Sequence, residues 1–452
     1  MKKKKVFQGA AVAAFVSMFS GVSMASMGNI ATTYGLLPSD ISSAQGLSLF
    51  NTQASAVYYN PAYLTKDPRG ELTSGLLHAE HELRVGSRGG AAPPIRNGKV
   101  LQDSPSQHVL LGTKTDLSSM SRLNHPIYLG VMLGVEKYGE EMMAFESSTS
   151  NEGQYFEYGR QPMFLVLGGA TQIWRGLDFG ASARVTLHAT SELRAVTTLG
   201  GKTSYEKMNV EAKPSIRPIV GLTMDWGESF CDGGGCWYDG LETAFSYRAY
   251  SNTKTTVDAN TVIPGTVAEP GLSLAVTTLD SYQPDIYSLG TMYGNDRFRV
   301  GASVELQRWS ALEKEFERDT IKDQAVKNGI GVLEFKDIVI PRIGAEYKLT
   351  PNYMVTGGVA YSQSPLDSDA SLDVNYLDTD KIIVGLGLTA QFEDPHFFAY
   401  PVRFDLSYQY QRLRPRDFDL YATNSPSYPE PFERVEAEGD VHVFAGSVTL
   451  KF

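Results

Sequence analysis

Cys231 and Cys236 are the only cysteines in the chain, and they bracket Asp-Gly-Gly-Gly. Three glycines permit a sharp reversal that would bring both sulfurs together. Two thiolates are too few for a structural zinc site, and the histidines nearest in sequence are His188 and His396. A disulfide formed in an oxidising compartment is the expectation. His78-Ala-Glu-His81 lacks the i, i+4 histidines of a helical zinc motif. Gly385 to Ala390 matches G-x-G-x-x-A, but it lies within an alternating run rather than between a strand and a helix. Gly201-Lys202-Thr203 has the end of a phosphate loop, with Val196 where the first glycine is needed. No G-x-S-x-G occurs. A Ser-His pair assembled by geometry would use His188, so a lipid-modifying enzyme stays as an alternative. No cofactor and no metal are expected.

Those residues sit on elements of period 2. From Leu177 to Ala189 the odd positions are apolar and the even ones polar, with Arg184 and His188 on the polar face. Phe298–Gln307 and Val402–Gln411 repeat the split. Several such runs exceed the usual 5–6 residues of a soluble strand and suit tilted membrane strands of about 9–11 residues. Connections alternate between short turns, such as Trp174-Arg175-Gly176 and Gly294-Asn295-Asp296, and long polar loops. The long ones run near 86–105, 139–157, 195–207, 254–271, 312–332, 364–379 and 412–439. This spacing predicts an all-β transmembrane antiparallel barrel of about fourteen strands. The strand cores are about 70–85, 106–118, 126–138, 158–174, 177–194, 208–226, 240–253, 272–293, 297–311, 333–349, 352–363, 380–392, 401–411 and 440–452. The aromatic terminus, Phe452, suits a signal for the bacterial barrel assembly machinery.

Lys2 to Lys5, an apolar stretch and Ser23-Met24-Ala25 read as a signal peptide over 1–25. Its removal shifts the formal charge from -11 to -15, which argues against nucleic-acid partners. After it, no apolar run approaches the ~18 residues of a membrane helix. A membrane form must then be a closed barrel, since only helices and barrels satisfy the backbone in lipid. Residues 26–69 show no sustained alternation and are assigned as an N-terminal plug inside a barrel formed by 70–452.

Ala44-Gln45-Gly46, Ala54-Ser55-Ala56 and Asn60-Pro61-Ala62 resemble the N-terminal hatch of the FadL/TodX family of outer-membrane transporters. Arg308-Trp309-Ser310, Pro341-Arg342-Ile343-Gly344, Ser364-Pro365-Leu366 and Leu377 to Lys381 are similar to its later strands, and Glu436-Ala437-Glu438-Gly439, before the last strand, is similar again. The resemblance implies a monomeric barrel in the bacterial outer membrane, among lipid and lipopolysaccharide. It would carry long-chain fatty acids or aromatic or alkane hydrocarbons by ligand-gated passive diffusion. The resemblance further implies a sideways opening at an inward kink of the third strand, where Pro126, Gly130 and Gly134 are the candidates. Lys314, Arg184 and His188 are the candidate contacts for an acidic head group. The short third external loop, about 195–207, departs from the fatty acid transporter's pattern and leaves the ligand class open. A general diffusion porin is the further alternative, and the plug-like segment opposes it.

Overall fold

The computed structural model describes residues 30–90, 97–99, 105–120, 125–137, 143–145, 163–197, 203–231, 235–263, 267–312, 334–372, 375–395, 399–421, 430–431 and 433–452. The leader assigned to 1–25 lies outside these residues.

Fourteen antiparallel strands close into a barrel. They are β1 (Glu71–Gly89), β2 (Ser106–Asp116), β3 (Ile127–Lys137), β4 (Met163–Trp174), β5 (Leu177–Thr197), β6 (Thr203–Asp225) and β7 (Leu241–Arg248). The second half comprises β8 (Ile286–Gly294), β9 (Phe298–Gln307), β10 (Ile338–Lys348), β11 (Tyr353–Ser362), β12 (Lys381–Phe392), β13 (Val402–Tyr421) and β14 (Glu433–Lys451). Each pairs with the next, and Glu71↔Lys451 to Gly89↔Arg434 closes β1 on β14. Closure gives each wall strand a neighbour on both sides, as a strand in hydrocarbon requires, though β6 meets β7 only from Ile219 to Asp225. The short turns share one end of the barrel with Glu71 and Lys451 and mark it as periplasmic.

Alternation sets the faces. Leu76, Leu133, Leu289, Ile343, Leu386, Leu406 and Phe444 point outward and are exposed, as a lipid-facing band demands. On β1 and β14 the faces exchange character toward the external end. Outward Leu76 gives way to Glu80, Glu82 and Arg84, while the inward residues become Leu77, Ala79, Leu83 and Val85. On β14, outward Phe444 is followed externally by His442, Asp440, Glu438 and Glu436, with Val443, Val441, Ala437 and Val435 inward.

The structure differs from the sequence reading in several places: strands reach into the loops read near 195–207 and 412–439, and of the strand read as 272–293 only Ile286–Gly294 lies in the wall. The stretch read as a polar loop near 254–271 is a hairpin, Ser251–Ile263 with Val267–Gln283. Its first strand runs parallel to the external end of β5, from Thr255↔Ala189 to Val262↔Val196. The two wall strands stop at Arg248 and restart at Ile286, because the chain turns inward between them. Gln283 meets inward Arg184, and the Asn252 carbonyl meets Thr186. Glu436 to Gly439 likewise belongs to the last strand rather than preceding it.

Candidate functional site

Residues 30–66 fold as short helices inside the barrel: α1 (Ile30–Thr33), α2 (Pro38–Ser42), α3 (Ala56–Tyr59) and short 3₁₀ segments at Ser48–Phe50 and Pro61–Lys66. Nearly every residue from Ile30 to Leu64 is buried. Helices this short gain their stability from what they pack against. Two glycine floors receive them. Gly301, Gly344, Gly358 and Gly385 are successive cross-strand partners on β9 to β12, and Ile41 to Leu47 lies on that row. A Cβ on Gly358 would run into the Ser43 backbone, so only glycine permits the approach. Across the lumen, Gly180↔Gly221 on β5 and β6 receives Asn60-Pro61-Ala62.

Asn60 ends α3 in an extended conformation, and Pro61 starts the next turn at the position where its missing N–H costs nothing. The Asn60 amide donates to the Leu49 carbonyl at 2.9 Å and to Thr223 Oγ1 at 2.8 Å. The tripeptide thus ties the segment's exit to the wall. The other motifs also meet in pairs. Arg342 Nη1 donates to the Ala44 carbonyl at 3.1 Å, and Gly46 rests on Gly344. Ser364 Oγ donates to Asp378 at 2.8 Å. Further ties run from Arg299 to the Phe50 carbonyl (2.8 Å), Lys114 to Thr52 (2.6 Å) and Gln409 to Ile41 (2.9 Å). Within the segment, buried Asp40 accepts from Ser48 Oγ and Asn51 Nδ2, each at 2.8 Å. Burial pushes its carboxyl pKa up, against the pull of its hydrogen bonds from Asn51, Ser48, Ser55 and the Leu37 amide.

Above the segment the lumen is apolar. Leu83, Val85, Trp309, Phe335, Ile338, Leu366, Leu413, Phe418 and Val441 pack together with Ile30 and Tyr34. A second cluster places Leu36, Tyr58 and Tyr59 against Leu110, Met132, Phe164, Val166 and Ile219.

Lumen charges are mostly matched. Arg248 and Arg342 share Glu305, Arg299 meets Glu346 at 3.3 Å, and Arg403 meets Asp405 at 2.9 Å. Arg184 and Arg217 differ: they are direct cross-strand partners on the inward face. Arg184 donates to Gln283 at 2.6 Å and lies over the Phe164 ring at 5.3 Å. Arg217 donates to the Tyr250 hydroxyl at 2.9 Å. Among the described residues no carboxylate is within ion-pair distance of either. Like charges directly opposite one another destabilise a sheet, and an acidic ligand would relieve the pair.

Of the candidates named from the sequence, Arg184 is thus inward and 4% exposed. Lys314 lies outside the described residues, as does the His188 side chain, though its backbone pairs with Lys213 in β5–β6. The third-strand kink is not seen. β3 pairs with β2 and β4 without a register shift. Gly130 and Gly134 are explained by close packing, the first against Leu64 and Val57, the second against His108. Pro126 precedes the strand and removes no ladder hydrogen bond. Cys231 and Cys236 are bonded. Phe452 donates its amide to the Gly70 carbonyl at 2.9 Å and closes the β1–β14 seam. Sequence reasoning missed Arg217 and the glycine floors, which become visible only when strand register is known.

A closed fourteen-stranded barrel with a charged outer rim and its N-terminal segment folded in the lumen defines a membrane transport protein of the outer-membrane type. Residues 42–452 match the family model described as outer membrane protein transport protein (OMPP1/FadL/TodX), and the chain belongs to that family. It is 53% identical over 442 residues to alkane uptake protein A of Marinobacter nauticus, covering 98% of this chain and 95% of that protein. A FadL homologue from Pseudomonas aeruginosa shares the fold, with a TM-score of 0.59 at 16% identity over 95% of this chain and 99% of the other. The P. putida toluene transporter TodX gives 0.52 at 13% identity, over 93% and 99% respectively.

Proposed function

We propose that the protein passes long aliphatic hydrocarbons inward across the outer membrane by passive diffusion, with residues 30–66 as the gate. The observation that carries this is the external lumen, apolar inside at the level where its outer face is charged. A hydrocarbon meets an apolar wall before it reaches the membrane's hydrocarbon layer. Its release into water would cost about 0.8 kcal/mol per exposed methylene, so release sideways into the outer leaflet is the favoured course. The similarity to an alkane uptake protein supports alkanes as the ligand.

A second reading is carried by Arg184 and Arg217. A cation pair with no carboxylate beside it among the described residues suits a fatty acid head group, with the chain in the cluster around Phe164 and Tyr58. The test is uptake of a labelled long-chain alkane and of the fatty acid of equal length, in cells that depend on this protein. Alkane uptake by the parent supports the first reading, and its absence refutes it. Replacing both arginines by Gln should reduce fatty acid uptake and spare alkane uptake. An unchanged ratio removes the second reading.

A further inference from the structure

Three of the four tryptophans in the chain lie at one periplasmic corner of the barrel: Trp174, Trp226 and Trp237. The fourth, Trp309, is buried in the lumen. The connection from β6 to β7 runs from Trp226 to Gly240, far longer than Arg175-Gly176 or Asn295–Arg297 at the same end. Opening a barrel hairpin does not require that length.

The turn is firmly built. A short helix, Trp226–Phe230, is capped by Asp225, whose carboxylate accepts from the Glu228 amide at 2.9 Å. Ser229 Oγ donates to the Arg175 carbonyl at 3.0 Å, tying it to the neighbouring turn. The Tyr238 hydroxyl donates to the Phe230 carbonyl at 3.2 Å. Phe230 immediately precedes Cys231, and Trp237 immediately follows Cys236. The disulfide therefore holds the chain at two aromatic residues within one closed turn, and both are exposed: Phe230 at 50% and Trp237 at 83%.

These rings continue the lipid-facing wall. A register shift between Gln172 and Trp174 makes Trp174 the cross-strand partner of Leu177, which shares the outward face with exposed Phe179. The Phe230 ring lies 5.9 Å from Trp174 and 5.8 Å from Trp226. An apolar path thus runs from the membrane wall through Trp174 onto Phe230 and Trp226 at the start of the turn, while Trp237 packs edge-on against Tyr238 at its end.

We propose that this disulfide-closed turn is an interfacial foot, which seats Phe230 and Trp237 in the head-group layer of the periplasmic leaflet with phospholipid as its partner. Tryptophan favours that layer because its ring is apolar and its N–H is polar. The disulfide sets the spacing at which the two rings reach the layer together. The foot would hold this side of the barrel at a fixed depth.

The test uses tryptophan emission of the full chain in phospholipid vesicles, with bromine placed near the top of the acyl chains or with acrylamide in the water. Trp237→Phe should remove roughly a third of the bromolipid-sensitive emission, its share among the three corner tryptophans. It should leave acrylamide quenching almost unchanged. The Cys231→Ser, Cys236→Ser double variant should lose part of the same signal, with heat-modifiable gel mobility reporting an intact barrel. If that variant does not assemble, Trp237→Phe alone decides. Trp237 emission that responds to acrylamide and not to bromolipid overturns the proposal and leaves the turn facing water, where a periplasmic protein could dock. Equal bromolipid quenching of parent and Trp237→Phe overturns it as well.

Discussion

The external and the membrane-level halves of β1 and β14 follow one alternating pattern and put it to opposite use. At membrane level, Leu72, Leu76, Phe444 and Val448 face lipid, while Thr73, Gly75, Ser447 and Thr449 face the N-terminal segment. Toward the outside, Glu82, Arg84, Glu438 and Asp440 face out, and Leu83, Val85, Ala437 and Val441 face in. The backbone ladder runs through this change in one register from Glu71↔Lys451 to Ser87↔Val435. What changes is the solvent. Above the hydrocarbon the wall behaves as a soluble protein does, and its inner face becomes the core. A lumen for apolar cargo arises where the outer face no longer has to be apolar.

The largest effect should come from removing what fills the membrane-level lumen. Deleting residues 30–58 should leave the barrel folded but make the outer membrane leaky to small antibiotics, and hydrocarbon uptake should lose its dependence on the gate. Susceptibility assays and heat-modifiable mobility read both. A well-assembled, impermeable deletion variant with parental uptake would refute the gate. Next comes the outer face. Leu406→Arg, in the lipid band, should cost about 2–4 kcal/mol of folding stability, whereas Glu80→Arg, above it, should cost at most about 1 kcal/mol. Equal costs in a urea titration of vesicle-bound protein would erase the proposed boundary. The glycine floor is third. Gly358→Ala forces a methyl group into the Ser43 backbone and should weaken the segment's docking by about 1–3 kcal/mol. Gly86→Ala, with nothing within 4 Å of its added carbon, should change nothing measurable by protease sensitivity of residues 30–66.

Strand number and the position of most strands were legible because alternation is a local property; the strand expected at 272–293 was not, since its first half pairs in the hairpin. β11 and β12, expected at 352–363 and 380–392, occupy Tyr353–Ser362 and Lys381–Phe392. The hairpin at 251–283 was not legible. Its first strand, Ser251–Ile263, is held by backbone pairing to β5, and its sequence carries no sustained apolar-polar alternation. The glycines at 130 and 134 read as weak points of a strand. Their reason lies in residues distant in sequence, Leu64 and His108 among them. Arg184 was found by parity alone. Arg217 needed the register of β5 on β6, and its meaning needed the surroundings in three dimensions, where no described carboxylate comes near. The Asn60-Pro61-Ala62 motif was visible as a motif, but its seat on Gly180 and Gly221 was not.

The smallest expected effect concerns Asp40, which lies in the segment rather than the wall. Its carboxyl is fully buried when the segment is docked, and burial raises its pKa above the ordinary carboxylate value. In a released segment it would return to that value. Docking therefore favours the protonated form. The contribution is fully present below the ordinary carboxylate pKa and is lost as pH rises through the raised one. The parent should be slightly tighter at the acid end of that window and leakier above it. Asp40→Asn removes the titration and flattens the profile. Asn also presents an N–H group where one carboxylate oxygen accepted from the Leu37 amide at 3.1 Å, so about one hydrogen bond is lost, worth about 1 kcal/mol. The variant should be modestly leakier than the parent at acid pH, with the two converging as pH rises. Antibiotic influx measured across that range checks this, and a parental profile that tightens with rising pH would show that the hydrogen bonds from Ser48 and Asn51, not burial, govern Asp40.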